Sequence, residues 1–217
     1  ALLRKSLEIN KNQPLTLLDL GIALSLNNQL DEAIIFFDKS AELDSKNVNV
    51  YIRKASTLKK LNRLNEAIDC YQKIIDLSPN HIDAYINKAE MLYHSGKLKE
   101  SLNIYQQIFK IDSANEDTYI KYGNVLNKLG KVDEAISAYQ KSIEINPENS
   151  RAYKNLGIIY KGLRRYDEAC RYIKKFININ QDYEALVNLA HAYCSVGNYK
   201  QGILYYTKGI KIQPKNP

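Results

Sequence analysis

The segment GKVDEAISAYQKS at residues 130–142 recurs along the chain at a fixed interval. Successive copies begin 34 residues apart, except that the last begins 33 residues after the one before it. The other copies are NQLDEAIIFFDKS (28–40), NRLNEAIDCYQKI (62–74), GKLKESLNIYQQI (96–108), RRYDEACRYIKKF (164–176) and GNYKQGILYYTKG (197–209). A constant period in this range predicts a repeat architecture, in which each repeat buries its apolar face against its neighbours.

The period divides the chain into six predicted repeats. We number each repeat so that the small residue of the segment, Ala135 in the quoted copy, is position 20. Repeats 1 to 6 are then residues 14–47, 48–81, 82–115, 116–149, 150–182 and 183–217. Residues 1–13, ALLRKSLEINKNQ, match positions 22 to 34 and predict the second helix of a truncated preceding repeat. We therefore expect a single solenoid domain that is a fragment of a longer protein.

Apolar and small residues predict two helices in each repeat. Large residues at positions 4 and 11 flank a Gly or Ala at position 8, and this spacing of four and three marks one face of a helix. A small residue at position 20 and a large one at position 24 continue the pattern in the second half. Small residues at positions 8 and 20 allow two antiparallel helices to approach closely.

The turn between the two helices is also encoded. Position 15 is Asn or Gly in five repeats and Arg in one, and Asn and Gly tolerate the left-handed conformation that ends a helix. Position 18 is Asp or Asn in four repeats, which predicts a side chain that caps the second helix. These four residues are Asp31, Asn65, Asp133 and Asp167.

This pattern resembles the tetratricopeptide repeat (TPR), which has a 34-residue period of two helices. The similarity covers almost the whole chain, including a closing proline at Pro79, Pro147 and Pro214, although Tyr or Leu stands where the family often has Trp. The resemblance implies an all-α fold, a right-handed α-solenoid superhelix of tandem antiparallel helix pairs. It also implies that the first helices line a concave groove that binds peptides or proteins.

Groove-facing residues should lie opposite the stripe of positions 4, 8 and 11, near positions 2, 5, 6, 9, 12 and 13. Asn recurs there, and a side-chain amide both donates and accepts hydrogen bonds, so a row of them suits a peptide backbone. The row is similar to the asparagine ladder of superhelical TPR proteins such as the O-linked N-acetylglucosamine transferases; the alternative is ordinary surface asparagine. The predicted peptide-binding residues are Asn87, Lys121, Asn124, Lys128, Arg151, Lys154, Asn155, Lys161 and Asn188.

Positive charge is concentrated towards the end of the chain. The formal net charge is +7, and repeats 5 and 6 contribute +5 and +3. Basic groove residues predict an acidic peptide partner; the alternative is a solvated basic face without a partner. A chaperone's C-terminal carboxylate is not expected to bind, because the charged clamp of such family members is incomplete here and Glu184 would repel it.

The sequence contains no set of residues that indicates an enzyme. It lacks a glycine-rich phosphate loop, a nucleophile elbow and a zinc-protease motif, and His191 with Cys194 offers only two metal ligands. We expect no catalytic residue, metal or cofactor. Nucleic acid is not expected, because most tyrosines occupy core positions, and no segment is long and apolar enough for a membrane span. Three unpaired cysteines favour the cytoplasm.

These features predict a scaffold or adaptor that binds an extended peptide or a partner helix in its groove. The alternative is a substrate-recruiting repeat domain of a larger enzyme, such as a glycosyltransferase, whose catalytic part lies outside this sequence. Self-association through uncapped ends is a further possibility.

Overall fold

The computed structural model describes residues 13–180 and 182–212, and in these residues it consists of twelve α-helices without strands. Helices of 13 and 14 residues alternate, and the two helices of each repeat are joined by a short turn. The helices are α1 Pro14–Leu26, α2 Leu30–Leu43, α3 Val48–Lys60, α4 Leu64–Leu77, α5 Ile82–His94, α6 Leu98–Ile111, α7 Glu116–Lys128, α8 Val132–Ile145, α9 Ser150–Gly162, α10 Tyr166–Ile179, α11 Tyr183–Ser195 and α12 Tyr199–Ile212. The predicted all-α fold of tandem helix pairs is confirmed.

The described helices form two compact units, divided between residues 113 and 114. Three hairpins, α1 to α6, make up the first unit, and three more, α7 to α12, make up the second. In each unit a second helix packs both on its own first helix and on the first helix of the next hairpin. The helix predicted in residues 1–13 lies outside the described residues except for residue 13, as do Gln181 and Pro214. The repeat boundaries and the single solenoid domain stay predictions.

A left-handed residue closes every hairpin, as the sequence predicts for position 15. The φ angles of these six residues lie between 58° and 80°. The residue after each donates its backbone N–H to the carbonyl at position 11, at 2.9 to 3.0 Å, which is the hydrogen bond of a Schellman motif. The left-handed residues are Asn28, Asn62, Gly96, Gly130, Arg164 and Gly197.

The prediction that position 18 caps the second helix is wrong. The helix begins at position 17, directly after the left-handed turn, so Asp31, Asn65, Asp133 and Asp167 are already the second residue of their helices. The residues at the cap of these four helices make no side-chain capping bond. The three aspartates still stabilise the helices, because negative charge in the first turn interacts favourably with the helix dipole.

Small residues bring the two helices of a hairpin together. A Cβ atom added to Gly123 would lie 2.7 Å from the ring of Tyr139, and one added to Gly21 would lie 2.6 Å from the ring of Phe37. These contacts join positions 8 and 24 of one repeat. The position 20 residues of repeats 1 to 5 are fully buried. The predicted role of positions 8 and 20 is confirmed.

We expect substitutions of two glycines by alanine to change stability in opposite directions. Gly130 has φ +77°, so Gly130→Ala should lower the free energy of unfolding by about 1 kcal/mol. Gly162 is helical and open space surrounds its Cβ position, so Gly162→Ala should raise this free energy by about 0.5 to 1 kcal/mol. Urea unfolding followed by circular dichroism measures both changes, and a shift in the same direction would contradict the assigned turn.

Candidate functional site

Eight of the nine predicted peptide-binding residues lie on the first helices of the second unit. We call this surface the polar face. It consists of Lys121, Asn124 and Lys128 on α7, Arg151, Lys154, Asn155 and Lys161 on α9, and Asn188 on α11. All are at least partly exposed. The ninth residue, Asn87, lies on α5 in the first unit, where its Nδ2 donates to the carbonyl of Asp83 at 2.7 Å.

Two asparagines of the polar face contact each other across neighbouring first helices. Asn155 Nδ2 donates to Asn124 Oδ1 at 3.1 Å. The same oxygen accepts a hydrogen bond from the hydroxyl of Tyr139 at 2.7 Å, and Tyr139 is a buried residue of α8. The Asn124 side chain is therefore held by one residue of the core and one of the next repeat.

A lysine extends these side-chain contacts to α11, the first helix of repeat 6. Lys161 Nζ donates to Asn188 Oδ1 at 2.6 Å, which connects α9 with α11. The structure thus brings together Asn124 with Asn155, and Lys161 with Asn188. The sequence predicted the four residues but not these contacts, because a helical stripe specifies which side chains share a face and not which atoms meet.

Two basic residues of the polar face are paired with carboxylates that were not predicted from the sequence. Arg151 forms an ion pair with Asp117 on α7. Lys154 Nζ lies 3.7 Å from an oxygen of Asp182, and 5.7 Å from the ring centroid of Phe176. Arg151 and Asp117 both occupy position 2 of adjacent repeats, so comparing equal positions would have revealed that pair. The pairs reduce the positive charge that a partner meets.

A shallow apolar depression interrupts the polar face between α9 and α11. Lys154, Lys161 and Asn188 border it, together with Ile158, whose surface is 51% exposed. Ile158 is not among the residues predicted from the sequence, although position 9 is polar in four of the other repeats. The polar face therefore offers amide groups, ammonium groups and one apolar contact.

No cluster of three or more potential metal ligands is present among the residues that the structure describes. In the same residues no helix has both the length and the hydrophobicity to cross a membrane. The three cysteines are free thiols. Cys70 and Cys170 are buried, and this burial raises the pKa of each thiol to about 11, whereas Cys194 is half-buried.

Family models match most of the chain. Models described as tetratricopeptide repeat match residues 16–47, 48–81, 70–103, 150–183 and 183–216, and one described as TPR repeat matches residues 123–164. Comparison with curated protein sequences found no match.

Several solved structures have a similar fold. A crystal structure of MamA is 27% identical, with a TM-score of 0.69 over 74% of this chain and 94% of MamA. YrrB, described as a TPR protein with an unusual peptide-binding site, is 24% identical, with a TM-score of 0.69 over 88% of this chain and 97% of YrrB. The type IV pilus biogenesis factor PilW is 15% identical, with a TM-score of 0.72 over 94% of each chain.

We expect the buried thiols to react slowly in the folded protein. Only a thiolate is nucleophilic, and a pKa of about 11 leaves Cys70 and Cys170 protonated at pH 8. An aromatic disulfide reagent should modify Cys194 first and the other two only in denaturant. Because burial raises these pKa values in the folded state, the protonated thiols stabilise the folded protein relative to the unfolded chain. This contribution to the free energy of unfolding is complete below the ordinary thiol pKa and is lost as the pH rises through about 11. Equal reaction rates of all three thiols would contradict the assigned burial.

Proposed function

The chain belongs to the tetratricopeptide repeat family, and we propose that it is a scaffold or adaptor that binds an extended peptide on the polar face. Family membership and the fold of the solved neighbours support a general protein-binding role. The finer proposal, that the peptide lies across α7, α9 and α11, rests on the residues of this chain.

The contacts between Asn124 and Asn155 and between Lys161 and Asn188 carry the proposal. They connect three successive first helices with groups that donate and accept, as a peptide backbone requires. Because the side chains already hold one another, less conformational entropy is lost when a peptide replaces or joins these bonds. Each hydrogen bond to a peptide contributes about 0.5 to 1.5 kcal/mol net. These side chains therefore orient a peptide, and other contacts must add affinity.

Charge and the apolar depression supply those other contacts. Lys121, Lys128 and Lys161 favour an acidic segment, and salt should weaken its binding because the groups are solvent-accessible. Asp117 and Asp182 compete with such a segment for Arg151 and Lys154. One apolar side chain of the peptide can contact the exposed surface of Ile158. We therefore propose an acidic peptide with an apolar residue as the ligand of the polar face.

The face of α12 supports a second proposal, self-association. Ile203 and Ile210 are 66% and 60% exposed. On α10, which α11 covers, the counterpart of Ile203 is Cys170, only 6% exposed, and the counterpart of Ile210 is Ile177, which is half-buried. Among the described residues no helix covers α12 in this way. Exposed apolar surface of this kind typically marks an interaction site.

A cytoplasmic location, the absence of catalysis and the alternative of a substrate-recruiting domain in a larger enzyme stay predictions of the sequence.

Charge reversal on the polar face should weaken peptide binding. In the variant Lys121→Glu, Arg151→Glu, Lys154→Glu, three cations become anions, and at low salt we expect at least about tenfold weaker binding of a labelled Glu-rich peptide with one Leu. Fluorescence anisotropy measures the affinity. The matched control reverses Arg53, Lys59 and Lys60 on α3, which makes the same change in net charge in the other unit. Equal affinity of the two variants would exclude the polar face.

Acidic substitutions on α12 should reduce self-association. We expect Ile203→Glu with Ile210→Glu to lower the mean mass, measured by light scattering across a dilution series, because a charge cannot be buried in an apolar contact without a large cost. Ile35→Glu, at an exposed isoleucine of α2, is the control. A wild-type mass that does not change with concentration and equals that of a monomer would exclude this proposal.

A further inference from the structure

A cavity of about 480 Å³ lies between α10 and α12, with α11 as its floor. It shares no residue with the polar face. Three lysines line it, Lys174 on α10 and Lys208 and Lys211 on α12. Its apolar lining includes Leu186 and Leu189 on α11. We call it the lysine cavity. Its volume is in the range of pockets that hold ligands.

The lysine cavity is explained by one change in the repeat. Position 4 is Tyr in repeats 2 to 5, but it is Leu17 in repeat 1 and Leu186 in repeat 6. In repeat 5 the position 4 residue, Tyr153, lies with its ring centroid 6.4 Å from that of Tyr172 at position 23. The equivalent of Tyr172 in repeat 6 is Tyr205, which lines the cavity together with Leu186. The missing ring at position 4 leaves the space beside Tyr205 open.

The charged residues that line the cavity are all positive. Lys174 Nζ lies 5.2 Å from the ring centroid of Tyr193, and Lys208 Nζ lies 5.0 Å from that of Tyr205. A cation above an aromatic ring is held in place but keeps its charge. No carboxylate is among the described residues that line the cavity. The three ammonium groups therefore favour an anionic ligand.

We propose that the lysine cavity is a second binding site, which takes an acidic peptide segment of a partner protein. The segment inserts one large apolar side chain against Leu186 and Leu189, and its flanking carboxylates pair with the lysines. This combination of an apolar anchor and a charged rim is typical of protein hot spots. The site is separate from the polar face and does not depend on the function proposed for that face.

The geometry favours a peptide over a membrane or a nucleic acid. A concave site accepts a protruding side chain, whereas a lipid surface is entered by apolar groups that protrude from the protein. Nucleobases stack on open aromatic faces. Tyr193 and Tyr205 instead stack on each other, with ring centroids 5.7 Å apart and an interplanar angle of 12°. Lys174 and Lys208 lie over these rings.

Filling the cavity tests the proposal. Leu186→Tyr introduces the residue that repeats 2 to 5 carry at position 4, so the fold should be kept, as circular dichroism can verify. The probe is a labelled peptide with one photoreactive phenylalanine analogue between runs of Glu. Because the polar face is also proposed to bind acidic peptides, the crosslinks to α10 and α12 report on the cavity, and we expect Leu186→Tyr to reduce them at least about tenfold. Leu17→Tyr, the same change in repeat 1, should leave these crosslinks unchanged.

Two further comparisons complete the test. Lys208→Glu with Lys211→Glu should reduce the crosslinks to α10 and α12 and make them less sensitive to salt, while reversal of Lys121, Arg151 and Lys154 should leave them unchanged. The proposal is overturned if the wild-type protein forms no crosslinks on α10 and α12, or if Leu186→Tyr forms as many of them as the wild type. It is also overturned if the same peptide with Ser as its central residue competes equally well for these crosslinks, if crosslinks form on α7 and α9 alone, or if only anionic vesicles bind the site.

Discussion

The close approach of the two helices in each hairpin is the constraint on which the other features depend. Where Gly123 lies against the ring of Tyr139, and Gly21 against Phe37, a Cβ atom would have no room. The left-handed residue at position 15 reverses the chain sharply enough for this contact to form. Because positions 4, 8 and 11 then face the partner helix, the opposite face of every first helix is available for polar residues.

Much of this could be predicted from one sequence, because a repeat gives several examples of each structural position. The left-handed residue and the small contact residues each recur in nearly every copy. Side-chain pairing was harder. The ion pairs of Arg151 with Asp117 and of Lys154 with Asp182 depend on rotamers and on packing between helices, neither of which a stripe on one helix specifies. The prediction that position 18 caps the second helix is wrong because the helix already begins at position 17, for example at Val132.

The two proposed sites show how a repeat scaffold changes its surface while its core stays constant. Asn124 and Asn155 stand outside positions 4, 8 and 11, which pack the hairpin, and both are partly exposed. Leu186 is different, because it occupies a core position where the smaller side chain opens a cavity. The polar face thus arises from polar residues outside the packing positions of the repeat, whereas the lysine cavity arises from a change at one packing position.

The side-chain amides of the polar face provide the most direct test of where a peptide binds. Heteronuclear NMR of the isotope-labelled protein resolves these NH₂ groups, and a Glu-rich peptide with one Leu can be titrated against them. We expect the amide signals of Asn124, Asn155 and Asn188 to shift together with one saturating affinity, while that of Asn87 in the other unit stays in place. Unchanged signals from the first three residues at saturating peptide would contradict it.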